Sequence, residues 1–242
     1  MIRIFIGYDP SEAVAYNVLS HSLMEHSSSP ISITPVNLQN LAYIFDRPRT
    51  KLESTEFSIS RFLVPYLCEY EGWAIFMDCD FLCMDDVMKL WSLRDGKHSL
   101  MCVKHLHNPR EVIKFAGNIQ TKYQRKNWSS LMMFNNKRCR ALTRDYVQTA
   151  PGLDLHQFKW CSGTIGDIDK RWNHLVGYCP HTRDVSMVHY TTGGPYFDEF
   201  AGCQYAGDWF AARERAVHAA QAEVSTERTT AYASSTRDVR SV

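Results

Sequence analysis

Five apolar residues in a row, Trp73-Ala74-Ile75-Phe76-Met77, stop at Asp78-Cys79-Asp80, and apolar character resumes at Phe81-Leu82-Cys83. The run is short, aromatic and β-branched, which is the composition of a buried strand. Two carboxylates one residue apart at its C-terminal end are costly, because close like charges oppose joint ionisation unless a cation offsets them. Hard divalent ions such as Mg²⁺ and Mn²⁺ take carboxylate, water and phosphate oxygens. Open α/β sheets bind ligands outside the carboxyl ends of their strands. The pair Asp78 and Asp80 therefore reads as a metal-diphosphate clamp. An ordinary acidic turn after a strand is the alternative, and the motif alone leaves both open.

The rest of the chain alternates strand and helix. Ile2 to Ile6 is a strand, followed by Tyr8-Asp9-Pro10-Ser11-Glu12. Asp9 suits a helix N-cap, Pro10 the first helical position and Glu12 a capping box. That helix carries Ala13, Val14, Leu19 and Leu23 and fades at Ser27-Ser28-Ser29-Pro30. Ile31, Ile33 and Val36 alternate as a second strand, and residues 37–54 are loop-like. A helix is expected from Phe57 to Tyr70, kinked at Pro65, and another from about Asp86 to Leu93. Leu100 to Val103 and Leu131 to Phe134 read as strands, the latter ending at Asn135-Asn136. A helix around Arg138 to Val147 and a strand from Ser186 to His189 follow. Strands alternating with helices predict an α/β fold, a layered, mainly parallel sheet flanked by helices. The expected organisation is a domain over residues 1–206, a charged, Ala-rich helix over 207–224 and a flexible tail over 225–242. Residues 104–127 are polar and basic and are expected to form a mobile loop.

The formal net charge of +1 gives no electrostatic case for a nucleic-acid partner. No stretch approaches the roughly 20 apolar residues of a membrane span. The chain opens on a strand-like alternation rather than a signal peptide. The eight cysteines contain no paired CxxC and several sit in apolar strands, so reduced thiols in a cytoplasm are expected.

A second cluster lies near the end. His189 closes an apolar strand and leads into Tyr190-Thr191-Thr192-Gly193-Gly194-Pro195. Glycines let backbone N–H groups approach an anion closely, or simply make a tight turn. Two carboxylates, an imidazole and a glycine turn together would suit a divalent ion bridging two phosphates.

In these pieces and their order the chain resembles glycosyltransferase family 8, of the GT-A fold, over roughly residues 1–200. The matching pieces are Ile4-Phe5-Ile6-Gly7-Tyr8-Asp9, Ser58-Ile59-Ser60-Arg61-Phe62, Asp78-Cys79-Asp80, Phe134-Asn135 and His189 to Pro195. The resemblance implies a hexosyltransferase that moves a sugar from a nucleotide-sugar, usually UDP-linked, with retention and with Mn²⁺ or Mg²⁺. It implies Asp78, Asp80 and His189 as metal ligands, and Tyr8 and Asp9 beside the base and ribose. It places Arg61 at the donor's phosphate or sugar, Asn135 at the donor sugar and Gly193 and Gly194 at the diphosphate. Asp80 and Asn135 are then the candidate catalytic residues. Each has a plainer role: Asp9 as N-cap, Arg61 as a solvated helix residue, Asn135 as a strand terminator. Trp160, Trp172, Tyr196, Phe197 and Trp209 flank the late glycine turn in sequence, and sugar faces stack on such rings, so a saccharide or lipid-linked glycan acceptor is expected, with Tyr196 or Phe197 lining its cleft and peripheral membrane contact left open.

The chain departs from that pattern in two places. The late glycine turn, Gly193-Gly194-Pro195-Tyr196, lacks a Lys, so Lys104, Lys114 or backbone N–H groups would replace it. Cys161-Ser162-Gly163-Thr164 stands where an acidic or amide cluster is common, with Asp167 and Asp169 nearby. A non-catalytic nucleotide- or glycan-binding domain is one alternative. A haloacid dehalogenase-type phosphohydrolase is another, although Leu82 stands where its motif carries Thr or Val. A sugar nucleotidyltransferase would want a Gly-rich first loop that Tyr8-Asp9-Pro10 does not supply. A zinc module on Cys79, Cys83, His105 and His107 fits no finger spacing.

Overall fold

The structure is a computed structural model that describes residues 1–50, 53–106 and 124–218. Nine strands are described: β1 (Ile2–Gly7), β2 (Ile31–Val36), β3 (Trp73–Met77), β4 (Phe81–Cys83), β5 (His98–Cys102), β6 (Leu131–Asn135), β7 (Thr164–Asp167), β8 (His174–Leu175) and β9 (Met187–His189). The main sheet has the order β2-β1-β3-β6-β5-β7. Within it only β6 runs against its neighbours; β1 pairs in parallel with β2 and β3, and β5 with β7. This is the layered, mainly parallel sheet expected from the alternation of elements.

Helices α1 (Ala13–His26), α2 (Leu38–Leu41), α3 (Val64–Leu67), α4 (Val87–Ser92), α5 (Arg144–Thr149) and α6 (Gly152–His156) surround it, with a further helix over 206–218. The sheet is the core. Ile4, Ile6, Ile75, Phe76, Met77, Leu131 and Phe134 are wholly buried, each such side chain stabilising the fold by about 1.5–3 kcal/mol. A smaller sheet, β4-β9-β8, pairs Phe81 with His189 in antiparallel register. It packs with Val18 of α1 and with Trp209 and Ala212 of the last helix. Arg215 locks that helix to α1 through both Glu25 carboxylate oxygens.

The expected cap and Pro10 act one turn ahead of α1, whose own N-cap residue, Glu12, makes no side-chain cap and accepts from the Tyr196 hydroxyl. Asp9 accepts from Ser11 N–H at 2.9 Å, and Pro10 opens a single 3₁₀ turn that leads into the helix. Two expected helices differ. Residues 57–70 form a 3₁₀ turn (Ser60–Leu63) and the short α3. Pro65 supplies no N–H for a longer helix, and Glu69 and Tyr70 turn the chain with left-handed φ of 52° and 58°. The helix expected over 138–147 forms only from Arg144 to Thr149. Thr143 stands in extended conformation and accepts from Tyr146 N–H, and such a cap begins a new helix rather than continuing one. Most of the expected 104–127 loop, all of the 225–242 tail, Lys114 and His107 lie outside the described residues. No helix of the described residues is long and apolar enough to cross a membrane.

Candidate metal and diphosphate site

β3 ends at Met77, and the Asp78-Cys79-Asp80 turn carries the chain from the main sheet into β4 of the small one. The same antiparallel pairing that sets Phe81 opposite His189 brings the imidazole to Asp80. His189 Nε2 lies 3.4 Å from Asp80 Oδ1. One ligand atom each from Asp78, Asp80 and His189 fall within 4.8 Å of one another. Ligands around one Mg²⁺- or Mn²⁺-sized ion are about 2.0–2.3 Å from it, so opposed ligands lie up to roughly 4.5 Å apart. Two carboxylates and an imidazole at this spacing therefore fit one divalent cation. Cys79, between the two acids, is wholly buried; burial and the nearby Glu12, Asp80 and Asp78 charges push its thiol well above its ordinary value. Burial likewise pushes Cys83 up to about 12. Among the described residues, the group able to hold a metal ion is Asp78, Asp80 and His189, and neither cysteine belongs to it.

Asp78 is held from behind. Arg61, 5% exposed, donates from Nη1 to Asp78 Oδ1 at 2.7 Å and to Ser129 O at 2.9 Å. Its Nε reaches Phe57 O at 3.3 Å, and its guanidinium lies over the rings of Phe57 and Phe76. Arg61 is therefore not a solvated helix residue but a buried cation that anchors the first acid. Asp9 is similarly occupied. Beyond its cap, its Oδ2 accepts from Glu56 N–H at 3.0 Å, tying the first loop to the segment before Arg61. Tyr8 extends β1 by donating its N–H to Val36 O, and its ring meets Tyr16 edge-on.

The late turn is built by packing. Gly193 has φ +154°, and a Cβ there would stand 2.4 Å from the Phe200 ring; at Gly194 it would stand 2.1 Å from the Tyr196 ring. Tyr196 packs against Trp209 and donates its hydroxyl to Glu12 Oε1 at 2.6 Å. Burial first, then the charges of Glu12 and Asp80, hold that phenol well above its ordinary pKa. Tyr196 thus stitches the turn to the start of α1, a tie that no sequence motif announced.

Asn135 is not brought to this group. It pairs with Trp73 at the opposite end of β3 and donates to His98 O at 3.2 Å. Five strand residues at about 3.3 Å each separate that end from Asp78, roughly 16 Å. The reason is the reversed direction of β6, whose beginning, not its end, faces the site: Asp78 N–H donates to Ser130 O at 2.9 Å. The residues that sequence reasoning missed are Asn127, Ser130 and Asn173. Asn173 Oδ1 lies 2.8 Å from His189 Nδ1, and Thr191 Oγ1 donates to Asn127 Oδ1 at 3.3 Å. None lies in a spacing pattern that could have flagged it.

The fold is that of the GT-A glycosyltransferases. The bifunctional glycosyltransferase WbbM matches with a TM-score of 0.63 at 13% identity, over 88% of this chain and 49% of that one. The glycosyltransferase GlyE of Streptococcus pneumoniae matches at 0.58 and 15%, over 88% and 60%. The galactosyltransferase LgtC, solved with donor and acceptor sugar analogues, matches at 0.58 and 14%, over 88% and 95%. The chain thus spans about half of WbbM and three-fifths of GlyE. No family model matches the sequence. At the level of sequence the chain belongs to the family of Protein CDI of Arabidopsis thaliana, with 44% identity over 217 residues, 86% of this chain and 84% of that protein.

Proposed function

We propose that this chain is a divalent-metal-dependent glycosyltransferase, related to family 8, that moves a sugar from a UDP-sugar to a hydroxyl of a saccharide or lipid-linked glycan. The observation that carries the reading is the meeting of Asp78, Asp80 and His189 at the carboxyl end of β3 in a GT-A fold. Those three side chains would hold Mn²⁺ or Mg²⁺, whose chemistry when bound is Lewis-acid neutralisation of the leaving diphosphate. Arg61 fixes Asp78, so that acid needs little reorganisation to receive its ligand. The burial of His189 and Asp80 keeps bulk water from that side of the site. Residues 1–206 form the catalytic unit in this reading, acting in the cytoplasm.

Transfer proceeds with retention. The acceptor oxygen bonds to the anomeric carbon as the bond to the diphosphate oxygen breaks on the same face, and the acceptor proton passes to that departing oxygen. The acids beside the proposed ligands favour this route over a protein nucleophile. Asp9 caps the 3₁₀ turn before α1 and accepts from Glu56 N–H, and Glu12 accepts from the Tyr196 hydroxyl. NMR of the first product formed should give the retained anomer; an inverted one refutes this route.

Calorimetric titration with UDP tests the site. Wild type should bind UDP in a Mn²⁺-dependent way, and Asp80→Asn should lose that dependence while keeping the wild-type circular dichroism. Equal Mn²⁺-dependent affinity in Asp80→Asn would refute the assignment. A non-catalytic binding domain is the second reading, favoured by a glycine turn that carries no Lys. Mn²⁺-dependent hydrolysis of a UDP-sugar separates the two, since a binding domain releases no sugar.

A further inference from the structure

His189 is held on three sides. Its ring stacks on Phe81 at 4.3 Å with an interplanar angle of 13°, Asp80 lies at Nε2, and Asn173 lies at Nδ1. Stacking fixes the plane of the imidazole but leaves open which nitrogen carries the proton, and that decides whether Nε2 can offer a lone pair. Asn173, wholly buried, closes the question through its other end. Its Nδ2 donates to Ser130 Oγ at 2.9 Å and reaches Asn127 O at 3.4 Å. Ser130 Oγ has one proton and donates it to Asn127 O at 2.7 Å. Toward Asn173 it can only accept. The amide nitrogen must therefore face Ser130 and Asn127, and the amide oxygen must face His189. An oxygen 2.8 Å from Nδ1 requires that Nδ1 be the protonated nitrogen.

We propose that Asn173 is a positioning residue that holds His189 in its Nδ1–H tautomer, so that Nε2 presents its lone pair toward Asp80 and a divalent cation. The inference rests on the metal reading above and extends it to a residue outside the ligand set. The arrangement has its own logic. With a bare Nε2, the imidazole and Asp80 Oδ1, 3.4 Å apart, both offer lone pairs to the same proposed ion. The same wiring couples the site to the segment before β6. Ser130, which orients the Asn173 amide through its hydroxyl, also takes the Asp78 N–H on its carbonyl, and Asn127 receives Thr191 from the late turn. One buried hydrogen-bonded cluster thereby sets the geometry behind two of the three ligands. Partners of this kind behind a ligating histidine commonly change metal affinity 10–100-fold when removed.

The test uses the full chain, labelled with ¹⁵N at its histidines, metal-free and at about pH 8. Protonated and bare ring nitrogens have well-separated ¹⁵N shifts, and comparison with His189→Gln assigns the ring. Wild type should show a protonated Nδ1 and a bare Nε2. Asn173→Leu, of similar volume, should lose the single tautomer and bind Mn²⁺ about 10–100-fold more weakly, read as free Mn²⁺ by electron paramagnetic resonance. Asn173→Asp keeps an acceptor at Nδ1 and should keep the Nδ1–H tautomer, while its second oxygen loses the donation to Ser130 Oγ and Asn127 O. A protonated Nε2 in wild type overturns the proposal, and so does an Asn173→Leu protein with wild-type tautomer and Mn²⁺ affinity. Should Asn173→Leu fail to fold, the wild-type shifts and Asn173→Asp still decide. Failure of the functional reading looks different: wild type would bind no Mn²⁺ although its ring shows the Nδ1–H tautomer, which supports the tautomer assignment and overturns the metal role.

Discussion

Replacing Arg61 by Met keeps the unbranched stem of the side chain and removes the guanidinium with its charge. Three hydrogen bonds go with it, to Asp78 Oδ1, Ser129 O and Phe57 O, together with the cation's place over Phe57 and Phe76. The Arg61 and Asp78 side chains are 6% and 15% exposed, so Asp78 would be left as a largely buried charge without its cation. Removing one partner of such a pair costs about 3–5 kcal/mol. The partial exposure of Asp78 lets some water in and puts the expectation at the lower end, about 3 kcal/mol. With a urea m-value near the upper end of the roughly 1–3 kcal/mol/M range, the unfolding midpoint should fall by about 1 M. Circular dichroism across a urea series reads this directly. In the proposed site a divalent ion restores positive charge beside Asp78, so saturating Mn²⁺ should narrow the gap between variant and wild type. A metal-free midpoint within roughly 0.3 M of wild type would refute the argument that Arg61 compensates a buried Asp78.

Two further outcomes follow from the same surroundings. Burial first, then the Arg61 and Lys126 cations, hold the His156 imidazole well below its ordinary pKa. The unfolded chain therefore takes up a proton near pH 6.5 that the native state refuses. Stability contributed by the neutral ring is complete above that value and falls, by up to about 1.4 kcal/mol per pH unit, toward the native pKa. His156→Gln should flatten this loss in urea midpoints measured between about pH 7 and pH 5; an unchanged slope refutes it. Gly194→Ala forces a Cβ to within 2.1 Å of the Tyr196 ring, which Trp209 and Glu12 hold in place. Overpacking of this kind costs about 1–3 kcal/mol, and a melting temperature equal to wild type would show that the turn yields freely.

Much of the scaffold is written in local pattern. Apolar period and breakers marked β1, β2, β3, β6 and β9, because a buried strand needs a short apolar run and a turn to stop it. Asp9-Pro10 announced the turn that leads into α1, because a cap and a fixed φ act within one turn of chain. Ser130 and Asn173 are invisible at that scale, as is the tie from Tyr196 to Glu12, since each joins segments far apart in sequence. The expected helices over 57–70 and 138–147 broke for a related reason: apolar spacing alone does not register a new cap at Thr143 or a missing donor at Pro65.

The sequence by itself determined that a strand ends in two carboxylates and that a late strand ends in a histidine. Only the tertiary structure decided that these meet, because the pairing of Phe81 with His189 is a register between strands more than a hundred residues apart. It also decided which partners each acquired. Arg61 was drawn inward by a buried charge, while Asn135 was carried to the far end of the sheet by the reversed direction of β6. Strand direction and register are set by how whole elements bury their apolar faces together, and no local stretch of chain contains that information.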